Sequence, residues 1–240
     1  MPADAFSPSR SRRRLAGLLL AASPLVLAVP AAAQQPPEVL PEITVFGASN
    51  VPVEAPRVGS AVSVITEAEI ARSPARTLPD LLRTLPGMAV SQSGTSGGLT
   101  QVRIRGAEAR HTLVVIDGIV VNDVGNGDFN FADFPVADIE RIEVIRGPQS
   151  GIHGANAHSG VVNIVTKSGR GLASPQATVQ VEGGSFGTAR GSASVRGSLG
   201  NAYGALTVQG TRTDGYNPSR TGTERDGSNS VTATGRFGVT

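Results

Sequence analysis

The chain has 240 residues, long enough for one or two domains with their own cores, and it contains no cysteine. The absence of thiols excludes a disulfide framework and a lipid anchor attached through cysteine. Four arginines lie close to the N-terminus: Arg10, Arg12, Arg13 and Arg14. From residue 34 onward the charges nearly cancel, and no basic stripe remains for phosphate contacts, so nucleic acid is not expected as a partner.

Residues 1–33 have the features of a cleaved signal peptide. Basic residues precede an apolar run, Leu15–Val29, and the small residues Ala31–Ala33 follow it. The alternative is a membrane anchor, but this 15-residue run is interrupted by Pro24 and is shorter than the ~20 residues that a spanning helix needs. We therefore predict that the protein is exported.

Residues 34–58 contain five prolines and little material for a core, which predicts a flexible linker. Within it, the stretch EITV (residues 42–45) alternates like a β-strand, but no turn follows that would fold it back on a partner. It is either a strand held on a flexible tether or the ordinary first strand of the next domain.

Residues 59–170 mix strand-like runs with short helices and lack a regular βαβ rhythm. This pattern predicts a small α+β domain with a mixed sheet. Two capping boxes mark the starts of its helices, Thr66 with Glu69 and Thr77 with Asp80.

Residues 171–240 contain four segments in which small or apolar residues alternate with polar ones. This period of two is typical of the strands of an outer-membrane β-barrel, which are apolar toward lipid and polar toward the lumen; an antiparallel sandwich is the alternative. In the second segment the polar positions are Arg190, Ser192, Ser194, Arg196 and Ser198.

Enzymatic signatures are missing from the sequence. There is no GxSxG elbow, no phosphate-binding GxxxxGK[ST] loop and no GxGxxG motif, so neither catalytic residues nor a cofactor are expected. Asp117 could be a buried acid or base, but the adjacent Gly118 favours a tight hairpin turn.

Metal binding is also not expected. His153 and His158 could contact a metal, but no cysteine or pair of carboxylates accompanies them, and loop polarity explains them better. Asp123 and Asp128 suggest calcium only weakly, because no glutamate occupies the twelfth position of an EF-hand loop.

Four charged residues lie in runs that otherwise look like buried strands: Arg103, Arg105, Glu143 and Arg146. An unpaired charge would be costly there. They therefore either pair with one another or face a polar surface against which the domain packs.

Several long motifs resemble, in order and spacing, the plug domain of TonB-dependent outer-membrane receptors. These motifs are TLPDLLRTLPGMAV, VRIRG, TLVVIDGIVVND and IERIEVIRGPQSGIHGANAHSGVVNIVTKSG. The phrase FADFPVADIERIEVIRGP is most similar to the cobalamin-receptor branch. The resemblance covers about residues 40–170 and implies an α+β plug domain followed by the first antiparallel strands of a transmembrane β-barrel.

The resemblance also implies roles for individual residues. Glu42, Ile43, Thr44 and Val45 resemble the TonB box, which pairs with the periplasmic TonB protein by β-strand addition. Two loops would face outward and contact ligand, through Ser93, Thr95, Ser96, Asp123, Asn126, Asp128 and Asn130. A charged layer between plug and barrel wall would contain Arg105, Glu143 and Arg146.

The implied function is active uptake of cobalamin or a ferric siderophore across the outer membrane of a Gram-negative bacterium. The expected partners are TonB, the chelate and outer-membrane lipid. A signalling receptor and a truncated, plug-only interaction module are the alternatives. Because plugged barrels of this kind have roughly 22 strands, we expect the chain to be a fragment of a longer receptor or a truncated product.

Overall fold

A computed structural model describes residues 58–132, 134–219 and 221–240, together with the backbone of two short strands, Thr44–Val45 and Val53–Glu54. Residues 41–240 form one compact unit. The predicted signal peptide lies outside the described residues, as do Glu42 and Ile43.

The elements follow one another in an irregular order, as the sequence predicts. The first part contains β1 (Thr44–Val45), β2 (Val53–Glu54), β3 (Ala61–Thr66), α1 (Glu67–Arg72), α2 (Leu78–Leu82), β4 (Met88–Gln92), β5 (Thr100–Ile104), a 3-10 turn (Ala109–His111), β6 (Thr112–Ile116) and β7 (Ile119–Val120). It continues with β8 (Ile139–Arg146), α3 (Ser150–His153), a second 3-10 turn (Ala155–Ala157) and β9 (Gly160–Thr166). Four long strands form the second part of the chain: β10 (Gln176–Gly184), β11 (Thr188–Leu199), β12 (Ala202–Thr213) and β13 (Ser228–Val239).

The five-stranded sheet of the first part, called the plug sheet here, has the order β3-β8-β9-β6-β7. Strands β6 and β9 are parallel and the other pairs are antiparallel, so the predicted mixed sheet is confirmed. One face carries the main core with the helices and the β4–β5 ribbon, and the other carries a smaller cluster around Leu113 and Ile145. Burial on both faces explains why β8 and β9 carry apolar side chains at successive positions, Val144 with Ile145 and Val161 with Val162.

Local signals fix the short elements of residues 59–170, the region called the plug from here on. Thr66 accepts a hydrogen bond from the Glu69 amide, and the Glu69 carboxylate accepts from the Thr66 amide, which confirms the predicted capping box of α1. Asp117 and Gly118 have φ angles of 49° and 87° and join β6 directly to β7. Both angles lie in the left-handed region that a two-residue hairpin turn requires.

The second sheet, called the wall sheet, is an antiparallel meander in the order β10-β11-β12-β13. Its polar side chains lie on the face that contacts the plug. The opposite face is apolar and exposed, at Val179, Val181, Val195, Leu206, Val208, Val231, Phe237 and Val239. The predicted alternation is therefore present, with a different kind of surface on each face.

None of the described helices is long and apolar enough to cross a membrane.

Candidate functional site: the plug–wall interface

One edge of the plug meets the polar face of the wall sheet, and a charged cluster holds the two together. Both oxygens of Glu67, at the start of α1, accept from the Arg196 guanidinium at 3.1 and 3.2 Å. Lys167 lies 3.4 Å from the same carboxylate. The two-pronged contact matches the planar guanidinium to the carboxylate, so it fixes orientation as well as charge.

The cluster sets the protonation of Glu67. Burial raises the pKa of this carboxyl, but the hydrogen bond from Arg196 and the charges of Lys167 and Arg196 outweigh that effect. The net result is a pKa below the ordinary value of 4.5. Glu67 therefore stays ionised, and the contact stays intact, over the neutral range.

Two further ion pairs cross the same interface. Arg76 of the plug donates to Glu182 of β10 at 2.7 Å. Arg236 of β13 donates to Asp117 at 3.0 Å and to the Thr166 carbonyl at 2.9 Å. Asp117 thus serves as the predicted turn residue and also as a contact with the wall, a second role that the turn signal does not reveal.

Hydrogen bonds from two buried threonine hydroxyls add to these contacts. The Thr207 hydroxyl of β12 donates to Asp138 at 2.8 Å, and the Thr95 hydroxyl donates to the Asp226 carbonyl at 2.7 Å. Asp226 lies in the loop that joins β12 to β13. The wall therefore contacts the plug at two places: strand β12 binds Asp138, and the β12–β13 loop binds the plug loop that contains Thr95.

Of the three residues predicted for a charged layer, Arg105 and Arg146 lie beside each other, and Glu143 lies apart from them. Glu143 is fully buried and accepts from Arg141 and Asn163, both at 2.9 Å. Arg146 lies three positions later in the same strand, so its side chain lies on the opposite face of the plug sheet. It lies beside Arg105, and burial together with that neighbouring charge lowers the pKa of Arg146. Its Nη1 atom is buried without a hydrogen-bond partner among the described residues.

The two predicted ligand-facing loops, residues 91–98 and 122–131, flank the start of β5. Asn130 accepts from the Thr100 amide at 3.0 Å, and Asp128 accepts from the Gln101 side chain at 2.8 Å. Within the second loop, Asp123 accepts from two loop amides. These acids therefore hold the loops in shape, while Ser93 and Asn126 remain exposed.

One residue that the sequence analysis did not single out, Asn122, supports the second loop. The buried Asn122 accepts from the Val114 amide at 2.7 Å and donates to the carbonyls of Thr112 and Gly127. Thr95 is buried as well, and Ser96 is half-buried. The available signal in the sequence was an asparagine directly after the predicted hairpin, since a side-chain amide at such a place can satisfy backbone polar atoms.

The histidines form a different arrangement from the one that their spacing suggests. His158 contacts His111 edge-on, with ring centroids 5.5 Å apart. Within the described ranges no group of three His, Cys, Asp or Glu side chains is placed to hold a metal ion.

Part of the predicted coupling segment is visible as a strand. Thr44 and Val45 form β1, which pairs antiparallel with β2, Thr44 opposite Glu54 and Val45 opposite Val53. The segment can thus adopt the extended backbone that strand addition requires.

Residues 55–161 match the family model described as "TonB-dependent Receptor Plug Domain". The solved structures similar to this chain include the ferric yersiniabactin uptake receptor of Yersinia pestis, with 21% identity, a TM-score of 0.59, and coverage of 74% of this chain and 28% of that one. The pyoverdine outer-membrane receptor of Pseudomonas aeruginosa is 20% identical, with a TM-score of 0.61 and coverage of 72% and 25%. A variant of the ferric enterobactin receptor of Pseudomonas aeruginosa is 30% identical, with a TM-score of 0.52 and coverage of 65% and 25%.

The fold is that of a receptor plug followed by the start of its barrel. The structural matches cover 74% and 72% of the chain, a larger share than residues 55–161. The chain spans only about a quarter of the length of these three structures.

Proposed function

We propose that this chain provides the plug, the coupling segment and the first barrel strands of a TonB-dependent outer-membrane receptor that imports a ferric siderophore. The observation that carries the proposal is the plug–wall interface: a plug-type domain is fastened by three ion pairs to the polar face of a sheet whose other face is apolar. A plug inside a water-lined barrel in lipid requires this arrangement of surfaces.

The ligand class is supported by the similar structures. The three receptors named above take up or bind siderophores, which favours a ferric chelate for this chain. Cobalamin, suggested by the phrase FADFPVADIERIEVIRGP, has no such support. A plug-only module or a signalling receptor is also not favoured by any contact described above.

Ligand contact belongs to the loops around residues 91–98 and 122–131. Ser93 and Asn126 are exposed and are the best placed to touch a chelate, with Ser96, Asp123, Asp128 and Asn130 beside them. Thr95 acts indirectly, since its hydroxyl ties the first loop to the wall. Small polar side chains suit adaptable contacts to a bulky ligand.

Coupling to TonB runs through Glu42, Ile43, Thr44 and Val45. Strand addition uses main-chain hydrogen bonds, and in the described part of the chain β1 pairs on one side only, with β2. TonB would either pair with the other edge or displace β2. A pull on this segment would act on the plug through Gly47–Arg57.

The charged layer is completed by the barrel. Arg105 and Arg146 place two guanidinium groups side by side, and one nitrogen of Arg146 is buried without a partner in the described structure. A carboxylate from the barrel wall would satisfy it and offset the repulsion. Glu143 contributes from the other face of the sheet by anchoring Arg141.

The experiment is a deletion of residues 42–45, with a deletion of residues 48–51 as the control of equal length. Uptake of ferric siderophores is measured in cells with and without TonB, and surface binding is measured separately at low temperature. We expect the first deletion to abolish TonB-dependent uptake and to spare binding, while the control retains most uptake. Uptake at the normal rate without residues 42–45 would refute the coupling role.

A further inference from the structure

The polar face of the wall sheet carries four charged side chains in its strands. Three of them reach the plug: Glu182 pairs with Arg76, Arg196 with Glu67, and Arg236 with Asp117. The fourth, Arg190 of β11, makes no hydrogen bond or ion pair with any described residue, and its Nε atom is buried. Burying a guanidinium N–H without a hydrogen-bond acceptor costs free energy, so a ligand that offers an acceptor would be stabilised here.

Arg190 lies beside a cavity between the plug and the wall. The cavity has a volume of about 280 Å³ and is lined on the plug side by Gln92, Thr95 and Ser96 and on the wall side by Arg190 and Tyr216. Hydroxyl and amide groups dominate this lining. Tyr216 and Asp226, the acceptor of the Thr95 hydrogen bond, belong to the same wall loop, and the cavity is bordered by this loop and by the first ligand-facing loop.

The carboxylates near Arg190 are already engaged. Asp80 lines the cavity, but one of its oxygens accepts from the Thr77 hydroxyl and amide, and the other faces Arg83 at 3.8 Å. Glu182 lies opposite Arg190 in the register of β10 and β11, yet its carboxylate binds Arg76. Asp80 and Arg190 are the two charged residues of the lining, and of these only Arg190 has a nitrogen without a hydrogen-bond partner among the described residues.

We propose that Arg190 and this cavity bind the carboxylate of a small anionic molecule. A planar guanidinium offers two parallel donors, which match the two oxygens of a carboxylate, and Tyr216 in the same lining carries a further hydroxyl. The cavity volume, about 280 Å³, lies near the lower end of the roughly 300–1,000 Å³ of small-molecule pockets, so we expect it to take one acidic arm of a larger ligand. The further step, that the arm belongs to the imported chelate, rests on the proposed function.

The test measures binding of malonate to the protein purified from membranes in detergent, by calorimetric titration, with neutral malonamide as the uncharged analogue. The variant is Arg190→Gln. The control is Arg212→Gln, because Arg212 lies on β12 one register position away and is exposed on the opposite face. We expect malonate to bind the wild type and the control equally, malonamide to bind neither, and Arg190→Gln to weaken malonate binding by about 10- to 100-fold.

Two results would overturn the proposal. One is malonate binding that is unchanged in Arg190→Gln. The other is an absence of binding in the wild type that Glu182→Gln restores, since Arg190 would then be the partner of Glu182. Failure of the proposed function looks different: cells would show no TonB-dependent uptake of any ferric chelate, while Arg190-dependent malonate binding persisted.

Discussion

The plug sheet and the wall sheet are both made of β-strands but meet different surroundings on their two faces. Strands β8 and β9 bury valine and isoleucine side chains on both faces, as at Val144 with Ile145 and at Val161 with Val162. Strand β13 alternates residue by residue between the polar face and an exposed apolar face. The comparison shows that the spacing of apolar residues along a strand indicates whether apolar side chains lie on one face of the sheet or on both.

The largest difference between the regions should appear when a leucine is shortened. Leu82 is fully buried in the plug core, and Leu82→Ala should destabilise the plug by about 2–5 kcal/mol because the cavity cannot close completely. Leu206→Ala is the control, since Leu206 is 45% exposed on the outer face of the wall sheet. Hydrogen exchange of the β8 and β9 amides measures the effect. Equal protection in both variants would contradict the assignment of Leu82 to the core.

The two faces of the wall sheet should respond oppositely to charge. Val208→Arg places a cation on the outer face and should cost about 2–4 kcal/mol in lipid if that face lies at mid-membrane depth. Thr232→Arg places it on the polar face and should cost much less. Equilibrium unfolding from lipid vesicles compares the two variants. If Val208→Arg is tolerated as well as Thr232→Arg, the outer face does not meet lipid.

Removing a charge at the plug–wall interface should have a smaller effect, which can be compared with removing a charge from an ion pair inside the plug. Glu67→Gln leaves Arg196 and Lys167 without their carboxylate and should loosen the plug from the wall by about 1 kcal/mol, since the pair is partly exposed. Glu108→Gln is the control, because Glu108 pairs with Arg110 inside the plug. The readout is the rate at which protease cuts the plug.

Acid should act on the same contact. The folded-state pKa of Glu67 is lowered, so its stabilisation is fully present above the ordinary value of 4.5 and is lost as pH falls through the lowered pKa. We therefore expect wild-type cleavage to accelerate only below about pH 4.5. In Glu67→Gln this pH step should be reduced. A step of the same size in both would mean that Glu67 does not hold the interface.

Much of the fold could be predicted because its signals are local. The capping box of Thr66 and Glu69, the Asp117-Gly118 turn and the alternation of the wall strands each involve residues a few positions apart. The site was harder to predict. Glu143 and Arg146 lie on opposite faces of the plug sheet, because side chains three positions apart in a strand point to opposite sides. Their placement against a barrel wall stays a prediction.

The sequence alone determined the kinds of element and the motifs that carry the resemblance to a plug domain, since propensity, capping and period depend on neighbouring residues. Only the tertiary structure decided which charges meet across the interface. Glu67 and Arg196 are 129 positions apart, Arg76 and Glu182 are 106 apart, and Asp117 and Arg236 are 119 apart. The physical reason is that such pairs depend on how the plug is seated against the register of the wall strands. The same seating left Arg190 without a partner among the described residues.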